Sequence, residues 1–313
     1  MSEGRKENKY VLTHVLETAI PYTLRAVTPL HPGSGARVSG IVDLAVQREA
    51  HTNLPVIYGS SLKGALKAWA QSMSELTGDK IVEIFGPPPG EGSEGMGKAI
   101  FLDAKLLLMP VRSLKGTYGW ITSPFVINRF IEDIEVFSYL SKPKLGGTER
   151  LKISGKIEGE PAPDQAWLKT AAGPLTINIE GRNIVIVEDA KLDVIEKFDV
   201  FSFLEMLGDD LRKRLGNRIL ITNHDTFKRI LERAMMISPH IVINPSTGTV
   251  SNLWFQEDLP PETVLYSAVI TSADLKSDIE ELLKGVIHVG GDITTGLGFA
   301  EVTKISLGGG GGK

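Results

Sequence analysis

Apolar positions along the chain follow two periods, and the changes between them mark out the elements. Residues 19–28 (AIPYTLRAVT) alternate in steps of two and are rich in β-branched side chains, which predicts a first strand. Leu62, Ala65, Leu66, Trp69, Met73 and Leu76 recur in steps of three and four, predicting a helix capped by Ser60-Ser61. Lys63 and Lys67 lie off that stripe. Strands are predicted at 98–108 and 111–113, then a helix over about 124–140 with Phe125, Phe130, Ile134 and Phe137 on its buried side. A hairpin over 174–189 turns at Glu180-Gly181-Arg182-Asn183, and helices follow near 199–215 and 224–237. A second hairpin over 241–255 turns on Pro245-Ser246-Thr247-Gly248. The chain closes with a strand at 262–271, a helix at 274–285 and, over 286–306, two strands joined by a glycine loop.

Strands and helices alternate too irregularly for a doubly wound parallel sheet. The expected class is α+β, with a modified ferredoxin-like (RNA-recognition-like) βαββαβ core and large insertions. That core forms one domain over residues 19–306, with insertions at about 86–97, 141–173 and 239–262. A polar extension (1–18) precedes it and a glycine-rich tail (307–313) follows.

Composition narrows the chemistry. The 313 residues contain no cysteine, which excludes a disulfide scaffold, a thiol nucleophile and any Cys-ligated metal. A reducing cytoplasm is the expected compartment. No apolar run reaches the ~18 residues of a membrane span, so no membrane partner is expected. The net charge is −4, from 34 basic and 38 acidic residues, less basic than a free-standing nucleic-acid binder usually is. Any polyanion contact must then be a local groove.

Familiar catalytic signatures are missing: no P-loop, no G-x-S-x-G elbow, no H-E-x-x-H. His224-Asp225 invites a metal-phosphohydrolase reading, but it stands just ahead of a helix, where a cap is the better account. Leu30-His31-Pro32-Gly33-Ser34-Gly35 ends a strand with closely spaced N–H groups that suit a phosphate or simply a tight turn. Ser60, Ser61 and Lys63 at a helix start are stronger, because a lysine there opposes the helix dipole unless an anion is present. The same Ser-Leu-Lys-Gly recurs at 113–116 after Arg112, nominating Ser113 and Lys115 for a second corner. The glycine loop with Gly290, Gly291, Gly296 and Gly298 lacks the helix of a dinucleotide fingerprint, yet would let a single-stranded nucleic acid approach closely. Asp43 sits alone in an apolar run (GIVDLAV), as a hydrogen-bonded turn residue or a site residue; composition does not choose.

These pieces in this order (LHPGSG, IVDLAVQREAHTNLPVIYGSSLKGALK, VRSLKGTYGWITSPFVINRF, INPSTGTVSNLWFQEDLPPET, GGDITTGLGFAEV) resemble the RAMP superfamily. Within it they resemble the backbone subunits (the fourth Cmr subunits) of type III-B CRISPR RNA-guided effector complexes. The resemblance implies a helical filament of copies along a guide CRISPR RNA, with other subunits, that cuts paired single-stranded target RNA at regular intervals. It places the catalytic aspartate of V-D-L-x-x-Q-R-E at Asp43, which would also hold a divalent metal, magnesium or manganese. Guide contacts fall on His31, Gly33 and Gly35, on Ser60, Ser61 and Lys63, and on the terminal glycine loop. Arg48 and Lys67 join them as candidates. The hairpin around 241–255 becomes a thumb that wedges between bases. His31 as a general acid and Glu257 as a second carboxylate are weaker assignments. Pro239-His240 stands where a basic residue is expected. A subunit that coats guide RNA without cutting is the alternative.

Overall fold

The computed structural model describes residues 17–37, 42–88, 96–140, 153 and 155–306. The expected tail, nearly all of the N-terminal extension, and parts of the insertions at 86–97 and 141–173 lie outside them.

β1 (Thr18–Ala26) is followed by the short β2 (Gly33–Arg37), β3 (Leu44–Val46) and β4 (Val56–Ile57). α1 (Gly59–Met73) buries Leu62 and Leu66 of the expected stripe, together with Ala70, but Met73 at its last turn is exposed and Leu76 lies beyond its end. Its cap position is Tyr58, without a side-chain bond, rather than Ser60-Ser61. α2 (Gly78–Phe85) and β5 (Ala99–Phe101) lead to β6 (Ala104–Ser113) and β7 (Thr117–Thr122). In α3 (Pro124–Leu140) the buried side holds Val126, Ile127, Phe130, Ile131, Ile134 and Phe137, whereas Phe125 is 40% exposed. Beyond it lie β8 (Gln165–Leu168), β9 (Ile177–Ile179), β10 (Arg182–Val187) and β11 (Ala190–Glu196). The expected helix over 199–215 divides into a 3-10 segment, Asp199–Met206, and α4 (Asp209–Leu215). β12 (Ile219–Thr222) and α5 (His224–Ala234) follow, and Asn223 caps α5 by accepting from the N–H groups of Asp225 and Thr226. His224 itself packs between Phe125 and Phe227 with Nδ1 3.0 Å from Ser123 Oγ, a structural histidine. The chain ends with β13 (Met236–Ile243), β14 (Val250–Asp258), β15 (Val264–Thr271), α6 (Lys276–Leu282), β16 (Gly285–His288) and β17 (Phe299–Lys304).

The strands form a mixed α/β architecture with a barrel-like sheet. One part runs β16-β17-β1-β15-β6. β1 pairs antiparallel with β15 and β17, and β15 pairs antiparallel with β6. β1 and β15 are buried almost throughout, not in alternation, because they are central strands packed against helices such as α3. From β6 the sheet continues through β7, β12, β8, β11 and β10, and β10 returns to β6 at Val187–Ser113, closing the ring. β8 is therefore integral to the barrel, although the sequence places it inside an insertion. A separate four-stranded sheet runs β13-β14-β3-β2. Its β13–β14 hairpin carries exposed Ile237, Ile241, Val242, Ile243, Val250 and Leu253. No helix among the described residues is long and apolar enough to cross a membrane.

Candidate nucleic-acid interface

Five consecutive residues from the end of β14 hold the segments that carry the candidate residues. Asp43 N–H donates to the Phe255 carbonyl (2.9 Å), and Phe255 N–H donates to Asp43 Oδ2 (2.9 Å). Gln256 pairs with Leu44, and its Nε2 donates to Asp258 Oδ1 (3.0 Å) and Asp292 Oδ2 (2.9 Å). The Glu257 carboxylate accepts from Val46 N–H (3.1 Å) and Arg48 Nη2 (2.6 Å), while its carbonyl accepts from His31 Nδ1 (2.8 Å). Asp258 Oδ1 lies 3.2 Å from the same nitrogen. Leu259 and Leu30 exchange backbone bonds of 3.0 and 2.9 Å. One strand edge thus carries Asp43 and His31 at residues two apart, roughly 7 Å along the strand.

Gln47 ties the next layer together. Its Nε2 donates to the Gly33 carbonyl (3.0 Å) and Ser61 Oγ (2.8 Å), and its Oε1 accepts from Tyr58 N–H (2.7 Å). The result is a cleft of about 530 Å³ between the 31–35 loop, α1 and the glycine loop, lined by His31, Gly33, Gln47, Ser61, Trp69, His288, Gly290 and Gly291 among others. Gly290 has φ +97°, and a Cβ there would come within 2.7 Å of the His31 carbonyl, so only glycine lets the two loops meet. Gly291 N–H donates to that carbonyl (3.2 Å) and Gly298 N–H to Pro29 (2.8 Å). Gly35 and Gly296, both at positive φ, leave open space beside their backbones.

The other candidates divide. Ser60 and Lys63 line a neighbouring cleft with Gly59, Phe85 and Phe101, on the far side of the helix start from Ser61. Asp103 Oδ1 accepts from Gly59 N–H (2.7 Å), so a protein carboxylate already takes the first N–H of α1. Lys67 Nζ donates to the Gly86 carbonyl (3.1 Å). Arg48 is committed to Glu257 and to the Asn53 carbonyl (3.0 Å), bracing the Asp43 strand from behind. The second Ser-Leu-Lys-Gly is not a helix start. Ser113 pairs with Thr117 across the β6–β7 hairpin turn, Lys115 Nζ donates to the Thr176 carbonyl (2.5 Å) and Arg112 pairs with Glu188. Ser113 ends the ten-residue strand that begins beside Asp103, about 30 Å away, so the two corners do not share a site.

Gln47 stood in the quoted motif, but Gln256, Asp258 and Asp292 were not legible as site residues. Gln256 and Asp258 are near neighbours in β14, but the contacts that make them site residues reach His31 and Asp292, which lie in loops with no periodic signal. In the hairpin, His240 stacks on Trp254 at 5.3 Å, which occupies the place where a basic side chain was expected.

His31 has an environment with a definite pH consequence. Burial alone pushes the imidazole down, but the hydrogen bond and charge of Asp258, the Glu257 carbonyl and the charge of Asp292 together hold it above the ordinary value of 6.5. A raised folded value means that the stabilisation is complete below the unfolded value and fades as pH rises through the folded one. The urea midpoint difference between wild type and His31→Gln is therefore expected to be largest below pH 6.5 and to shrink above it. A constant difference across that range would show that the Asp258 contact contributes nothing.

The chain belongs to the RAMP superfamily, whose pattern matches residues 23–301. It is 34% identical over 297 residues to the CRISPR system Cmr endoribonuclease Cmr4 of Pyrococcus furiosus, across 90% of this chain and 93% of that protein. It is 25% identical over 309 residues to the CRISPR system CMR subunit Cmr4 of Saccharolobus solfataricus, across 90% and 95% of the two chains. Among solved structures, oligomeric Cmr4 from Pyrococcus furiosus matches with a TM-score of 0.67 at 27% identity, covering 93% of this chain and 99% of its own.

Proposed function

We propose that this chain is a cytoplasmic backbone subunit of a type III-B CRISPR effector. In this reading it coats guide CRISPR RNA side by side with other copies of itself and other subunits, and cuts complementary target RNA at Asp43. The observation that carries the proposal is the shared edge of β14, which sets Asp43 beside His31 and the cleft while the same strand extends into the exposed hairpin. Family membership and a relative named as a Cmr endoribonuclease support the activity. The relative's oligomeric structure supports the association of copies, which also lets a mildly acidic chain gain RNA affinity cumulatively. The order β17-β1-β15-β6, with α1 between β1 and β6 and α6 between β15 and β17, supports the ferredoxin-like core. The β13–β14 ribbon, apolar and exposed on both faces, suits a thumb that inserts between bases.

Asp43 Oδ2 is held by Phe255 N–H, which fixes the carboxylate and leaves Oδ1 to act on RNA. There it can accept a hydrogen bond from the target's 2′-hydroxyl and orient that oxygen toward the adjacent phosphate. Among the described residues no group of three His, Asp or Glu could form a metal cage. The single oxygen donor fits magnesium or manganese completed by phosphate and water, and such an ion would neutralise charge at the phosphate. Cutting is expected only with a guide and only of complementary RNA, while a fully 2′-deoxy target binds and stays intact. Equal cutting of that DNA strand on a product gel would sink the 2′-hydroxyl assignment. Cutting without any guide would sink the guided reading.

A further inference from the structure

We propose that Gln256 is a positioning residue that couples the glycine loop to the Asp43 strand through Asp292. The inference rests on the nuclease reading for its effect on cutting, but the coupling itself is a property of the free chain.

Gln256 is 2% exposed, and both hydrogens of its amide are used, one on Asp258 and one on Asp292. Asp258 also receives His31, so a single amide joins the histidine, the strand that holds Asp43 and the loop that closes the cleft. Asp292 is the informative partner. It occupies the left-handed region (φ 62°, ψ 34°), where glycine would be less strained, yet the chain keeps a carboxylate there. Its backbone carbonyl gathers Thr295 N–H (3.0 Å), Thr295 Oγ1 (2.8 Å) and Leu297 N–H (3.3 Å), which folds the loop around the same residue. Asp292 thus fixes the loop internally with its backbone and fixes the loop to β14 with its side chain. The amide also separates two carboxylates that would otherwise face one another without a donor between them. Phe255 places Asp43 and Gln256 places the loop, so adjacent residues of one strand set the relation between the cutting carboxylate and the wall of the cleft.

The test uses Asp292→Gly, which removes the side-chain link while suiting the left-handed backbone, and Asp292→Asn, which retains an oxygen acceptor. Gln256→Leu is the complementary change from the other side. In the assembled complex, Asp292→Gly is expected to lower the single-turnover cutting rate on the order of 10²-fold, as for a small misplacement of reacting groups, with guide affinity changing less than about tenfold. Asp292→Asn is expected to restore most of the rate. Amide exchange on the free full-length chain is expected to quicken at Gly291 and Gly298 in Asp292→Gly and in Gln256→Leu, and to remain near wild type in Asp292→Asn. Cutting and guide affinity falling in proportion would overturn the proposal, and so would exchange unchanged by Asp292→Gly. If wild type cuts nothing, the nuclease reading fails by itself and exchange alone decides the coupling.

Discussion

Replacing Ile241–Leu253 with Asn-Gly is expected to cripple target cutting while leaving the fold and guide binding in place. His240 and Trp254 face each other across the hairpin, so a two-residue turn closes the shortened ribbon without disturbing its register. Ile241, Val242, Ile243, Val250 and Leu253 in the removed part are each 46–58% exposed, so little apolar burial is lost. Phe255 to Leu259 remain, and with them every bond to Asp43, His31 and the glycine loop. The urea midpoint should stay close to wild type, as for surface changes away from buried features. Cutting should fall on the order of 10²-fold or more, because in the proposed function this hairpin is the element that distorts the target strand at the cutting position. Wild-type cutting by the shortened chain would remove the hairpin from the mechanism.

Glu49→Ala has the largest expected effect on stability, although Glu49 belongs to the motif that carries Asp43. Both oxygens of this buried carboxylate accept from Arg129 Nη1 (2.9 and 2.7 Å), and Thr52 Oγ1 donates to one of them. Arg129 is itself largely buried. Its other contacts include a 3.3 Å bond to the Leu106 carbonyl, the ring of Phe125 and the Tyr266 side chain, all uncharged, and its Nε has no partner among the described residues. Removing Glu49 leaves a nearly buried cation uncompensated, a change that costs about 3–5 kcal/mol. Urea unfolding of Glu49→Ala, Arg129→Met and the double variant measures this directly. The double variant should be less destabilised than the two single changes added together. Simple additivity would mean that the pair does not act as a unit.

The same motif shows how far the sequence could be read. Val42-Asp43-Leu44 and the glycine loop were legible because a lone carboxylate in an apolar run and clustered glycines are local anomalies. The roles of Gln47, Arg48 and Glu49 were not, because each is defined by a partner elsewhere: Ser61, Glu257 and Arg129. Periodicity found α1 and α3 and the β13–β14 hairpin, whose bonds are local. It missed β3 and β8, three and four residues long, which are defined by their pairing, β3 with β2 and β14 and β8 with β12 and β11. It misled at the repeated Ser-Leu-Lys-Gly, where identical residues form a helix start in one place and a hairpin turn in the other. Nothing local distinguishes those outcomes; the strand partners of β6 and β7 do.

In the proposed function Asp43 marks the cutting position on guide-paired RNA. The most direct measurement is a product gel of labelled complementary RNA with the complex assembled on a defined guide, comparing wild type with Asp43→Asn. Asparagine keeps the size and the acceptor for Phe255 N–H but removes the charge. Wild type is expected to give a ladder of evenly spaced products. For the variant, rates should fall about 10²–10⁴-fold, the range for loss of a group acting on a proton in the transition state, with the RNA still bound. Ladders of equal intensity from both chains would contradict that role of Asp43 and leave a guide-coating scaffold with its chemistry elsewhere.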